Sequence, residues 1–188
     1  MKAKLLTVLA VVVICGAAVS YDRWSAPSEM PAPDPVSSPP AHDLPSISFT
    51  TLDGKSHDLR SLPEKGIILH FWASWCAPCA LEFPPLLKKI DGAHGDLALV
   101  AVSIDDSRQN MDKFLARLQK QQGAAMNSPH VYWVWDAKKD ISLKQFDTIR
   151  APESVLIDAD RHMVDKIAGD PGWADAAMSK RLEALGRP

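Results

Sequence analysis

Residues 66–74, GIILHFWAS, form a nearly unbroken apolar run that ends two residues before Cys76. A strand of this kind is stable only when both of its faces are covered, so the run calls for a sheet with packing layers on either side. Cys76-Ala77-Pro78-Cys79 follows at once, and residues 76–90 then carry a helical pattern. Pro84 and Pro85 interrupt that pattern and predict a kink. Two thiols therefore stand at the junction of a buried strand and the first turn of a helix.

The other elements fall into order around this junction. SISFTTLDGKSHDLRSL alternates apolar residues about Asp53-Gly54 and predicts a hairpin. DLALVAVSID (96–105) is a second buried strand, and Met111, Phe114, Leu115 and Leu118 recur at helical spacing over 107–121. HVYWVWD (130–136) is a third strand and ISLKQF (141–146) a short helix. ESVLID (153–158) and HMVDKIAG (162–169) are two strands joined at Ala159-Asp160-Arg161, and a last helix runs from Trp173 to Leu185. Strands that alternate with helices and close on a hairpin predict an α/β fold with a mixed central sheet flanked by helices.

The first 43 residues read differently. Lys2 and Lys4 precede the apolar run LLTVLAVVVICGAAV (5–19), the pattern of a secretory signal. The same segment is compatible with an uncleaved membrane anchor whose lysines stay in the cytoplasm. Cys15 lies inside this run, with Ile14 where a lipoprotein signal wants a small residue, so it reads as one more apolar residue. Residues 26–45 hold seven of the fifteen prolines and predict an extended spacer. The expected organisation is thus a signal or anchor over 1–20, a Pro-rich linker over 21–43 and one folded domain over 44–188. The formal charge is -2, and no basic tract stands out, which argues against nucleic acid as a partner.

A helix N-terminus favours negative charge, so a thiol there ionises readily and its thiolate is the nucleophile. Cys76 is expected to be exposed at or beside the N-cap and to attack a substrate disulfide. Cys79, more buried, is expected to resolve the mixed disulfide. A structural disulfide would close too short a loop to constrain the unfolded chain much. A zinc site would want a second cysteine pair, which the sequence lacks. A copper(I) site built on the two thiols stays open.

FWASWCAPCALEFPPL resembles the thioredoxin-like TlpA/ResA family of exported thiol–disulfide oxidoreductases. The resemblance spans roughly residues 44–188, rests on Trp-Cys-x-Pro-Cys and the following Glu-Phe-Pro, and implies a thioredoxin-like fold with an N-terminal β-hairpin extension. It implies a redox-active Cys76–Cys79 disulfide, with Cys76 as nucleophile and Cys79 as resolving thiol. Trp75 would flank the reactive sulfur, Pro78 would influence the potential, and Glu82 would be a partly buried acid nearby. TIRAPESVLID resembles the segment that holds a cis-proline, which would be Pro152 after Ala151, offering backbone to an extended substrate. Neither a cofactor nor a metal is implied. The implied partners are a protein disulfide substrate and a membrane thiol–disulfide electron donor.

Two positions depart from the family pattern. Glu153 stands where a small hydroxyl residue is usual, and reads either as an exposed strand-end acid or as a charge that alters substrate preference. His70 stands where thioredoxins bury an acid, either as a proton shuttle for Cys79 or as a satisfied core histidine. Trp133 and Trp135 share one strand face and are expected to pack in the core. His42, His57, His94, His130 and His162 show no ligand spacing and read as surface residues. LARLQKQQ (115–122) reads as a solvated helix end. Two functions follow for comparison: an exported protein-disulfide reductase of the cytochrome c maturation or copper-site assembly type, and a copper(I)-binding or metallochaperone module on the same fold.

Overall fold

The computed structural model describes residues 42–187. The expected signal or anchor, Cys15 and all but the end of the expected linker lie outside them.

The apolar run becomes β4 (Gly66–Trp72), all seven residues of it buried. It sits inside a six-stranded sheet of order β1-β8-β7-β4-β5-β6. Here β1 is His42–Asp43, β5 Leu97–Ser103, β6 Val131–Trp135, β7 Glu153–Ile157 and β8 His162–Ala168. β5 pairs with β4 and with β6 in parallel, whereas β7 runs antiparallel to both β4 and β8. The sheet is therefore mixed, as expected. β1 pairs antiparallel with β8, so the residues just ahead of Leu44 already belong to the sheet.

Alternation along β4 sends Phe71 to one face and His70 and Trp72 to the other. Helix α1 (Ala77–Gly92) and helix α2 (Arg108–Gln122) pack on the His70 and Trp72 face. His70 meets Phe83 of α1, and Trp72 meets Phe83 and Phe114 edge-on or tilted. Phe71 meets Phe146 of the short helix α3 (Ser142–Phe146) on the opposite face. The strand is covered on both sides, as its composition demanded. Trp133 meets Trp72 edge-on and Phe83 at a tilt, and packs partly buried against the core.

The hairpin also forms. β2 (Ser48–Thr50) pairs with β3 (Ser56–Asp58) in the register Phe49↔His57, and Gly54 turns the chain at φ +86°. Leu52 N–H donates to the carbonyl of Trp133 at 2.8 Å, so the hairpin covers the β6 edge of the sheet. A bare edge would invite another chain to pair there.

α1 runs as one helix through Pro84 and Pro85. Each proline removes one backbone hydrogen bond, but Phe83, Leu86, Leu87 and Ile90 bury one face of the helix against the core and hold it. The last helix, α4 (Ala176–Leu185), begins later than expected. Gly172 bends the chain at φ +76°, and a Cβ there would lie 2.2 Å from an Asp175 carboxylate oxygen. That bend leaves Trp173 buried just ahead of the helix. Among the histidines, His130 is no plain surface residue, since its Nδ1 lies 2.7 Å from the buried Glu64, which also accepts from the Tyr132 hydroxyl.

Candidate functional site

Cys76 is the N-cap residue of α1, and its Sγ accepts a hydrogen bond from the Cys79 N–H at 3.2 Å. Pro78, in the first turn, has no N–H to lose there. The two sulfurs are joined in a disulfide with a Cα–Cα separation of 5.3 Å. Cys79 is wholly buried. Cys76 keeps only 4% of its surface, far less than the exposed position expected from sequence. Capping the helix and bonding to Cys79 both turn its sulfur inward. Trp75 takes the exposed place instead, at 65%.

The loop that carries Trp75 and Cys76 is held from beneath by Asp105, which is 1% exposed. Its carboxylate accepts from Ser74 N–H at 2.8 Å, from the Ser74 hydroxyl at 2.6 Å and from the Ser103 hydroxyl at 2.8 Å. Asp105 lies just past β5, the strand paired with β4, so the sheet brings it to the start of the reactive loop. Sequence reading missed this residue. Its one signal was an acid at the very end of a buried strand, VAVSID, where a charge needs partners. Asp105→Ala strands three donors, and each buried unsatisfied group costs about 1–3 kcal/mol. The expected loss of stability is about 3 kcal/mol in urea unfolding. A loss below about 1 kcal/mol would show that the loop holds itself.

Behind the disulfide lies a buried polar group. Glu82 shares a helix face with Cys79 three residues before it, and is 1% exposed. Its Oε2 accepts from Trp173 Nε1–H at 3.0 Å. His70 Nε2 lies 3.9 Å from the same oxygen, and His70 Nδ1 is hydrogen-bonded to Ser154 Oγ at 2.9 Å. His70 Nε2 and Glu82 Oε1 have no hydrogen-bond partner among the described residues. Burial pulls the His70 pKa down to about 4. Burial raises that of Glu82, the Trp173 N–H opposes the rise, and the charge of Asp170 adds to it. Both groups are driven towards their neutral forms, which suits a dry pair better than an ion pair.

The Ala151–Pro152 peptide bond is cis. Phe71↔Glu153 is the last β4–β7 pair, so Pro152 stands level with Trp72, at the end of β4 from which the cysteine loop departs. The Pro152 carbonyl accepts from Gly169 N–H at 2.9 Å. The N–H and carbonyl of Ala151 have no hydrogen-bond partner among the described residues. Glu153 corrects an expectation: it is 6% exposed, not a surface acid. It accepts from the Thr148 hydroxyl and pairs with Lys166 at 2.9 Å.

A groove of about 270 Å³ opens beside Cys76. A larger cavity of about 760 Å³ lies at the other end of α1, around Lys88, Lys89 and Gly92, away from the disulfide. No helix among the described residues is long and apolar enough to cross a membrane.

A mixed sheet, a cis-proline at the end of its central strand and a Cys-x-x-Cys disulfide capping the next helix define a thioredoxin-like protein of the thiol–disulfide oxidoreductase class. Residues 39–182 match the Redoxin family, and the chain belongs to it, in the TlpA/ResA-type branch of the thioredoxin-like proteins. The thiol-disulfide oxidoreductase ResA of Bacillus thuringiensis subsp. konkukian is 25% identical over 130 residues, covering 68% of this chain and 69% of that protein. Among solved structures, one described as the thiol:disulfide interchange protein DsbE of Chlorobium tepidum is similar with a TM-score of 0.63 and 26% identity, over 77% of this chain and 96% of that one. StoA of Bacillus subtilis is similar with a TM-score of 0.54 and 25% identity, over 72% and 95%.

Proposed function

We propose that this protein reduces disulfides of other proteins outside the cytoplasm. The observation that carries the reading is the Cys76–Cys79 disulfide at the N-cap of α1, with Cys76 the less deeply buried of the two residues. In the reduced protein the Cys76 thiolate attacks a substrate disulfide. A bond forms between Cys76 Sγ and one substrate sulfur, the substrate disulfide breaks, and the other sulfur leaves as a thiolate. Cys79 then loses its proton and attacks Cys76 Sγ, releasing the second substrate thiolate and leaving the protein oxidised by two electrons. Free N–H groups at the start of α1 stabilise the attacking thiolate. Trp75 flanks the reactive sulfur, and Pro78 influences the balance between dithiol and disulfide. His70 and Glu82 form the buried proton reservoir behind Cys79. Ala151, with its unpaired peptide groups and Pro152 next to it, takes the substrate backbone.

A membrane thiol–disulfide protein that reduces the Cys76–Cys79 bond completes the cycle. The basic start and apolar run over 1–20 support export, with or without attachment to the membrane, and the Pro-rich stretch over 21–43 then serves as a spacer. The family resemblance favours substrates in cytochrome c maturation or copper-site assembly. The copper(I)-binding alternative has no observation in its favour. Among the described residues no third His, Cys, Asp or Glu joins the two cysteines in a metal-holding group.

Cys79→Ala tests this reading in cells. Without a resolving thiol, the mixed disulfide on Cys76 should accumulate and its partner proteins can be identified after non-reducing electrophoresis. If the double variant Cys76→Ser/Cys79→Ala captures the same proteins to the same extent, the proposal is wrong.

A further inference from the structure

The groove beside Cys76 has two walls. The reactive loop and α1 supply one, with Trp75, Cys76 and Ala80. Helix α2 supplies the other, with Phe114, Arg117 and Gln121. Phe114 is buried and forms the floor, whereas Arg117 is exposed at the rim. At about 100° per residue, Lys113 and Lys120 fall on the same side of α2 as Arg117, four residues before it and three after. All three are exposed, and among the described residues none has an ion-pair partner. Asp112, the one acid of α2, lies on the flank of this face and pairs with Arg108 at 2.8 Å. Arg117 thus stands at the rim of the groove that holds the reactive sulfur, and Lys113 and Lys120 flank it on the outer face of α2, in a chain of net charge -2. They lie on the solvent face of α2, where like charges repel one another and give that face a net positive potential.

We infer that the Lys113–Arg117–Lys120 ridge receives an acidic segment of the substrate protein next to its reactive cysteine, with an apolar side chain of that segment lying in the groove against Trp75 and Phe114. The inference rests on the function proposed above and adds the kind of substrate. Three charges in a row suit a short acidic peptide segment. Charge complementarity of this sort acts mainly on the rate of encounter and weakens with salt.

The test compares two disulfide-linked peptides of equal length, one with three glutamates beside its cysteine and one with three glutamines. The reduced full-length protein is mixed with each in stopped flow, and a small neutral aromatic disulfide serves as a measure of the thiol chemistry. The wild type should react with the glutamate peptide about tenfold faster than with the glutamine peptide at low salt, and the advantage should shrink as salt is added. Lys113→Glu/Arg117→Glu/Lys120→Glu should reverse the preference while its rate with the small disulfide stays unchanged. Equal rates for the two peptides in the wild type, or an unchanged preference in the triple variant, would overturn the ridge as a docking surface. Failure of the wild type to reduce even the small disulfide would overturn the proposed function, and this inference with it.

Discussion

Cys76→Ser is expected to lower protein-disulfide reduction to the uncatalysed background while leaving the fold intact. The substitution is mild for the structure. Serine is a favoured N-cap, and its hydroxyl can accept the Cys79 N–H bond that Cys76 Sγ accepts at 3.2 Å. It is drastic for the chemistry, because only a thiolate attacks a disulfide at a useful rate. The remaining thiol does not substitute for it, since Cys79 is wholly buried. An insulin reduction assay on reduced wild type and variant, with circular dichroism to confirm the fold, reads both halves of the expectation. Equal activity in the two proteins would remove Cys76 from the mechanism.

The second large effect concerns acid. His70 has a pKa of about 4 in the folded protein against an ordinary 6.5. As pH falls from 6.5 to about 4, the unfolded chain binds a proton on this side chain that the folded protein refuses, so stability falls over that window. The 2.5-unit difference corresponds to about 3 kcal/mol, fully present above pH 6.5 and lost by pH 4. Glu82 acts in the opposite sense. Its raised pKa lets the folded protein bind a proton first, which adds stability towards acid and withdraws it as pH rises. That contribution is common to wild type and a His70 variant. It therefore cancels in the comparison, apart from the coupling of two groups 3.9 Å apart. His70→Asn, with no titration in this range, should lose about 3 kcal/mol less than wild type between pH 7 and pH 4. Urea unfolding at pH 7, 5.5 and 4 measures the difference. Parallel stability curves would mean that His70 is not held neutral by burial.

The same residue shows where sequence reasoning stopped. His70 stood out because it stands where thioredoxins bury an acid, but a resemblance cannot say what the residue touches. Ser154 is its hydrogen-bond partner across the β4–β7 ladder, 84 positions along the chain. Trp173, which holds Glu82, is 91 positions from it. Asp105 escaped notice for the same reason: its work is done on Ser74, which the β4–β5 pairing brings to it. Glu153 and His130 lie at strand ends, which are usually exposed, yet Thr148 and Lys166 partner the first and Glu64 the second. Arg117 and Lys120 were legible as part of a solvated helix end over 115–122. Only the groove beside them, made by a different segment of chain, supplies a purpose.

Local chemistry in the sequence was enough for the sheet class, the hairpin and the strand–Cys-x-x-Cys–helix junction. Each of these depends on periodicity, turn residues or a cap within a few positions. The tertiary structure alone decided how open Cys76 is, what supports its loop, and the buried company of His70 and Glu82. Those properties arise from residues far apart in the chain, whose desolvation and hydrogen bonds exist only once the sheet has paired.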